Sequence, residues 1–138
     1  MVVPPRAVWD ALADAGGYGY WVVGSKTIRD ADPDWPAPGS KFHHTIGVGP
    51  FELADHTESL QARAPELLQI RAKGRPLGTA TVTLELLPRD GGTLVRITEK
   101  PDGLARPLSF NPVVYAATKA RNTESLMRLE ELALRRAK

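Results

Sequence analysis

Five residues of this chain combine useful chemistry with an inward position: His44, Glu99, Arg121, Asn122 and Ser125. His44 shares one face of a period-two segment with Phe42, Ile46 and Val48, and Glu99 shares a face with Val95 and Ile97. Each is a polar group on an otherwise apolar stripe. Burial raises a carboxyl pKa and a neighbouring guanidinium lowers it, so Glu99 reads in two ways. It is either a general acid, with His44 as a second acid–base group and Arg121 or Asn122 steadying oxyanion charge, or the ion-pair partner of Arg121. In the second case the polar groups only satisfy one another, which also perturbs pKa values.

Other chemistries find little support. His43 and His44 are strand neighbours and point to opposite faces, and His56 adds no chelating spacing, so no metal site is expected. Gly47-Val48-Gly49 leads into a strand rather than a helix N-terminus, so it is no phosphate loop, and there is no G-x-S-x-G elbow. The absence of cysteine removes disulfides, thiolate ligands and a thiol nucleophile, and it suits a reducing cytoplasm. A net charge of +2, with bases scattered among acids, is a poor footprint for nucleic acid. No apolar run reaches the roughly 18–20 residues of a membrane span, and the first residues lack the form of a signal peptide. No cofactor is expected.

The inward groups need elements to position them. Asn111-Pro112 signals a helix start, because Asn caps orphan N–H groups and Pro at the first helical position gives up no bond. About 25 residues without Gly or Pro follow, to roughly Arg136, a rod of about 37 Å. Val114, Thr118, Asn122, Ser125, Leu129 and Leu132 fall on one side of it, flanked by Tyr115, Arg121, Leu126 and Ala133. The stripe is apolar late and polar in the middle. A helix that only closed a dry core would not carry Thr118, Arg121, Asn122 and Ser125 there, since each unpaired buried polar group costs about 1–3 kcal/mol; either they reach solvent or they line a wet cavity.

Earlier in the chain, Met1-Val2-Val3 reads as a strand stub, Pro5 to Ala13 as a short helix and Tyr18–Trp21 as one more helical turn. Six period-two segments follow: 22–29, 41–48, 52–61, 67–73, 79–87 and 93–100. Leu68, Ile70 and Ala72 share one face, as do Ala80, Val82, Leu84 and Leu86, and Asp90-Gly91-Gly92 signals a hairpin. Trp9 and Trp21 read as core or cavity wall. Trp35 sits among prolines, where it either pins its loop or meets a partner. One-sided strands need a cover, and the last helix is long enough to supply it, giving a single α+β domain over residues 1–138.

With this order the chain resembles the SRPBCC superfamily, the START-like or helix-grip fold, in its polyketide cyclase/dehydrase-like branch. Val2-Val3-Pro4-Pro5 with Val8-Trp9 and Leu12, Tyr20-Trp21-Val22-Val23-Gly24, Pro38-Gly39-Ser40-Lys41-Phe42, and Arg121-Asn122-Thr123-Glu124-Ser125-Leu126 with Leu129 carry the likeness. It implies a curved sheet gripping the long helix around a cavity for a lipid- or polyketide-like molecule. Trp21, Phe42, His44, Ile46, Ile70, Val82, Leu84, Ile97, Glu99, Thr118, Arg121, Asn122, Ser125 and Leu129 would then line it. Strand parity puts Gly47–Pro50, Gly74–Gly78 and Pro101–Phe110 at one end, as a gate over the mouth. The family's first strand is reduced here to about three residues, which leaves Thr93–Lys100 as an open edge. Relatives bind ligands, act as cyclases or dehydratases, or serve as co-chaperone-like interaction modules. Binding is the first expectation, with His44, Glu99 and Arg121 the residues for catalysis. The protein is expected as a monomer or dimer.

Overall fold

Pro4 and Pro5 fix the backbone for the first helix, α1 (Pro5–Leu12), which starts without a side-chain cap. The computed structural model describes residues 1–22, 25–48, 51–74, 78–102 and 112–136. α1 buries Val8, Trp9, Ala11 and Leu12, one stripe of its surface. A 3-10 turn, Ala15–Gly17, follows, with the Asp14 carboxylate accepting from the Gly16 N–H at 3.1 Å. α2 (Tyr18–Trp21) is a single turn that buries both its terminal aromatics.

Six strands then form one antiparallel meander in sequence order. They are β1 (Ser25–Ala31), β2 (Lys41–Val48), β3 (Phe51–Arg63), β4 (Leu67–Gly74), β5 (Gly78–Arg89) and β6 (Gly92–Asp102). α3 (Pro112–Arg136) completes the helix-grip fold. The second strand and the long helix begin and end where alternation and helix signals predict. Val22, expected to open the first strand, instead ends α2, its N–H donating to the Tyr18 carbonyl at 3.1 Å; the described strand runs Ser25–Ala31.

β5 and β6 run further than expected, to a two-residue turn at Asp90 (φ 47°) and Gly91 (φ 79°). Positive φ at both positions matches the twist of the flanking strands. Pro88 is tolerated inside β5 because its partner Thr93 turns its own N–H and C=O outward, so no bond across this pair is lost. Those outward groups pair with Met1: its ammonium donates to the Thr93 carbonyl at 2.7 Å, and the Thr93 N–H donates back at 2.9 Å. Gly92 makes the approach possible, since a Cβ there would sit inside van der Waals contact of the Met1 carbonyl oxygen. The stub therefore lies beside the last strand. Past Thr93, β6 is the terminal strand of the sheet among the described residues.

The core is densest where the small helices meet the sheet. Tyr18 packs on Trp21, Trp35 and Phe42 with ring centroids 4.9, 5.6 and 4.7 Å away. The Tyr18 hydroxyl and the Trp35 indole N–H both donate to the Leu12 carbonyl, at 2.8 and 3.1 Å. Trp35 is buried, so it pins its proline-rich loop. Burial pushes the Tyr18 phenol far above its ordinary value, the nearby Trp35 indole N–H dipole pulls it back and the Asp14 charge adds to the rise. Leu68, Leu84, Leu86, Leu129 and Ala133 continue the core under the C-terminal half of α3.

Candidate ligand site

Register converts the strand patterns into rows across the inner face of the sheet. Leu68, Leu84 and Ile97 stand side by side, the two leucines fully buried and Ile97 half-buried. One row further along, Ser59, Ile70, Val82 and Glu99 are neighbours. The row beyond pairs Phe42 with Thr57, Thr57 with Ala72, and Ala72 with Ala80. Side-chain volume thus falls in the same direction on both central strands, from Leu68 through Ile70 to Ala72 and from Leu84 through Val82 to Ala80. Both alanines keep partial exposure although they sit mid-sheet on the face that elsewhere is core.

α3 tapers in parallel. Leu129 and Ala133 are fully buried, Ser125 is 4% exposed and Asn122 is half-buried. The inward residues of α3 thus turn from apolar to small and polar toward its middle, as those of the central strands turn from leucine to alanine. Thr57, Ala72 and Ala80 belong to this arrangement but are not among the cavity-lining residues expected from the sequence, because the shrinkage shows only once the strands are in register.

Arg121 donates from Nη2 to Glu99 Oε2, tying α3 to β6. The Glu99 side chain is 15% exposed and that of Arg121 is 42% exposed. The contact is monodentate, so most guanidinium donors are left for water or a ligand. Half exposure on the arginine side keeps its contribution near the usual 0–1 kcal/mol of a surface pair. Glu99 and Arg121 are thus brought together as the inward stripes predict. His44 pairs by backbone with Asp55 and Ile28, and its side chain, with those of Ile46 and Thr118, lies outside the described residues. The gate segments fall mostly outside them too: 49–50, 75–77 and 103–111.

Trp21 is 3% exposed, and its indole Nε1–H is the one buried side-chain polar atom without a partner among the described residues. Leaving such a donor unmet costs about 1–3 kcal/mol. On the outer face, strand pairing places His43 opposite His56, ring centroids 6.0 Å apart, a proximity that their spacing in the sequence hides. No group of three or more His, Asp or Glu side chains able to hold a metal occurs among the described residues. An open groove of about 360 Å³ lies between Pro4-Pro5 and the 88–92 turn, and it contains none of the predicted site residues.

No described helix is long and apolar enough to cross a membrane. The family model described as "Polyketide cyclase / dehydrase and lipid transport" matches residues 2–133, so the chain belongs to that family. No curated protein sequence matches the chain. Among solved structures it is similar to protein NE0264 from Nitrosomonas europaea, with a TM-score of 0.70 at 18% identity, over 98% of this chain and 90% of that one. It is similar also to Ara h 8.0201, with a TM-score of 0.71 at 14% identity, over 97% of this chain and 92% of that one. An AHSA1-like protein from Aeromonas hydrophila gives a TM-score of 0.65 at 20% identity, over 96% and 85%. Likeness at such identity is a likeness of fold.

Proposed function

We propose, with membership of that family as the premise, that the chain binds a small hydrophobic or amphipathic molecule between its sheet and α3. The reading rests on one observation: inward side chains shrink along both central strands toward the same end, to Ala72 and Ala80, while those of α3 turn from Leu129 and Ala133 to Ser125 and Asn122. Small residues there leave volume that the tall residues below do not, and cores are otherwise filled to crystal-like density. Hydrocarbon walls with a few convergent polar groups suit a ligand of mixed character. We place the protein in the cytoplasm as a single-domain monomer or dimer, on its lack of cysteine and its size.

The test refills the space. Ala80→Leu adds hydrocarbon at the level where the taper ends. It is expected to leave stability unchanged or higher while abolishing binding of a naphthalene-sized apolar probe measured by calorimetry. A loss of about 1–3 kcal/mol with binding intact is the signature of overpacking a site already full, and it would sink the reading. Native mass spectrometry of freshly purified protein is expected to show a co-purified small molecule that Ala80→Leu no longer retains.

A catalytic reading draws on the Glu99–Arg121 contact. Glu99 would move a proton at a carbon or oxygen of a polyketide-like substrate, and Arg121 would hold the developing oxyanion. Glu99→Gln keeps size and hydrogen bonding but removes the acid. Turnover of a poly-β-ketone substrate that survives this change would remove Glu99 from the catalytic role, and a wild-type protein without turnover would leave the chain a binder.

A further inference from the structure

The aromatic cluster at the base of α3 contains three hydrogen-bond donors, and the fold treats them unequally. Tyr18 Oη and Trp35 Nε1 both end on the Leu12 carbonyl, which has two lone pairs and so is fully used. Trp21 Nε1 has nothing. Its ring packs at a tilt against Tyr18, centroids 4.9 Å apart, and Tyr18 in turn touches Phe42, whose strand neighbour is Thr57 in the row of small side chains. Its own helix meets α3 near Ser125: the Arg128 guanidinium donates to the Tyr20 carbonyl at 3.4 Å, less than one turn along. Trp21 thus stands at the border between the dense aromatic cluster and the level where inward side chains become small.

Buried indole N–H groups ordinarily find an acceptor. A fold that shares one carbonyl between two neighbouring donors, yet leaves the third unmet, is incomplete at that point. We infer that Trp21 Nε1–H is a ligand-binding donor, and that the bound molecule carries an acceptor oxygen (a carbonyl, ether or carboxylate) at the end that reaches the aromatic cluster. This rests on the cavity reading above and narrows it: pure hydrocarbons are poor ligands, and oxygenated apolar molecules are good ones. Trp21 therefore acts as a specificity determinant rather than as apolar wall alone.

Two probes of one shape isolate the oxygen: 2-acetylnaphthalene and 2-isopropenylnaphthalene, which replaces the carbonyl oxygen by a methylene. Wild-type protein is expected to prefer the ketone by roughly fivefold, the worth of one neutral hydrogen bond, and Trp21→Phe is expected to bind both alike. An equal preference in wild type and Trp21→Phe, or none in wild type, overturns the assignment while leaving a ligand cavity in place. If neither probe binds folded wild-type protein, the cavity reading falls and the assignment with it. Should Trp21→Phe not fold, the indole N–H resonances of wild type decide, with Trp9→Phe and Trp35→Phe assigning the third signal. A downfield shift of the Trp21 signal with the ketone and not the alkene supports the inference; identical responses overturn it.

Discussion

Removing one oxygen from the aromatic cluster should produce a variant that is weaker than wild type at neutral pH and stronger in alkali. The Tyr18 phenol is 1% exposed and donates to the Leu12 carbonyl at 2.8 Å. Tyr18→Phe loses that bond, worth about 1 kcal/mol net, at the low end because Trp35 still satisfies the carbonyl at 3.1 Å. The alkaline limb runs the other way. Burial raises the folded phenol far above its unfolded value of about 10, so above that pH the unfolded chain releases a proton the folded one keeps. The stability conferred by the neutral phenol is therefore complete below pH ~10 and lost above it, at about 1.4 kcal/mol per pH unit. The two stabilities should cross near pH ~10.7, where the lost slope equals the lost hydrogen bond. Urea unfolding followed by circular dichroism between neutral pH and pH ~11 reads both limbs, and groups common to both proteins cancel in the difference. A gap that stays constant across that range would mean that Tyr18 ionises in the folded protein as it does in water, and the buried cluster would be wrong.

Other substitutions separate scaffold from site. Leu129→Ala, at a fully buried position on α3, should cost about 2–5 kcal/mol in urea unfolding with an unchanged slope. Gly92→Ala should expel Met1 from the edge of β6, read as lost hydrogen-exchange protection at the Thr93 N–H; retained protection would contradict the close approach. Glu99→Gln should change stability by no more than about 1 kcal/mol, because Arg121 is half exposed; a loss above ~3 kcal/mol would show the pair to be buried.

Much of this architecture was readable because it is local. The alternation from Lys41 to Val48 and the Asn111-Pro112 start each depend on neighbours in the chain, and both elements begin where those signals predict. The contact of Glu99 with Arg121 was legible as one of the two readings of Glu99, although Arg121 lies exposed at the edge of the stripe rather than inside it. What stayed hidden depends on register or on remote carbonyls. The taper to Ala72 and Ala80 is written in the sequence as Leu-x-Ile-x-Ala and Ala-x-Val-x-Leu, but its meaning needs the two strands paired. Trp35 finds its acceptor 23 residues away and Met1 pairs with a residue 92 positions on. His43 and His56 meet because β2 and β3 are in one register rather than another. Val22 closes α2 rather than opening a strand because its backbone hydrogen bond to Tyr18 outcompetes β propensity.

The described anchors of the long helix bear on how a ligand would be held. Its C-terminal half buries Leu129 and Ala133, Arg128 reaches the Tyr20 carbonyl, Arg136 pairs with Asp14, and Glu130 accepts from the Val2 N–H at 3.0 Å. Every described side chain from Pro112 to Arg121 is exposed, and the Glu99–Arg121 contact joins that half to the sheet. On the proposed reading, a bound molecule adds contacts at the level of Ser125 and Asn122, beside the anchored C-terminal half. It would stabilise the fold by mass action, so a ligand of suitable shape is expected to raise the urea midpoint in proportion to the logarithm of its concentration.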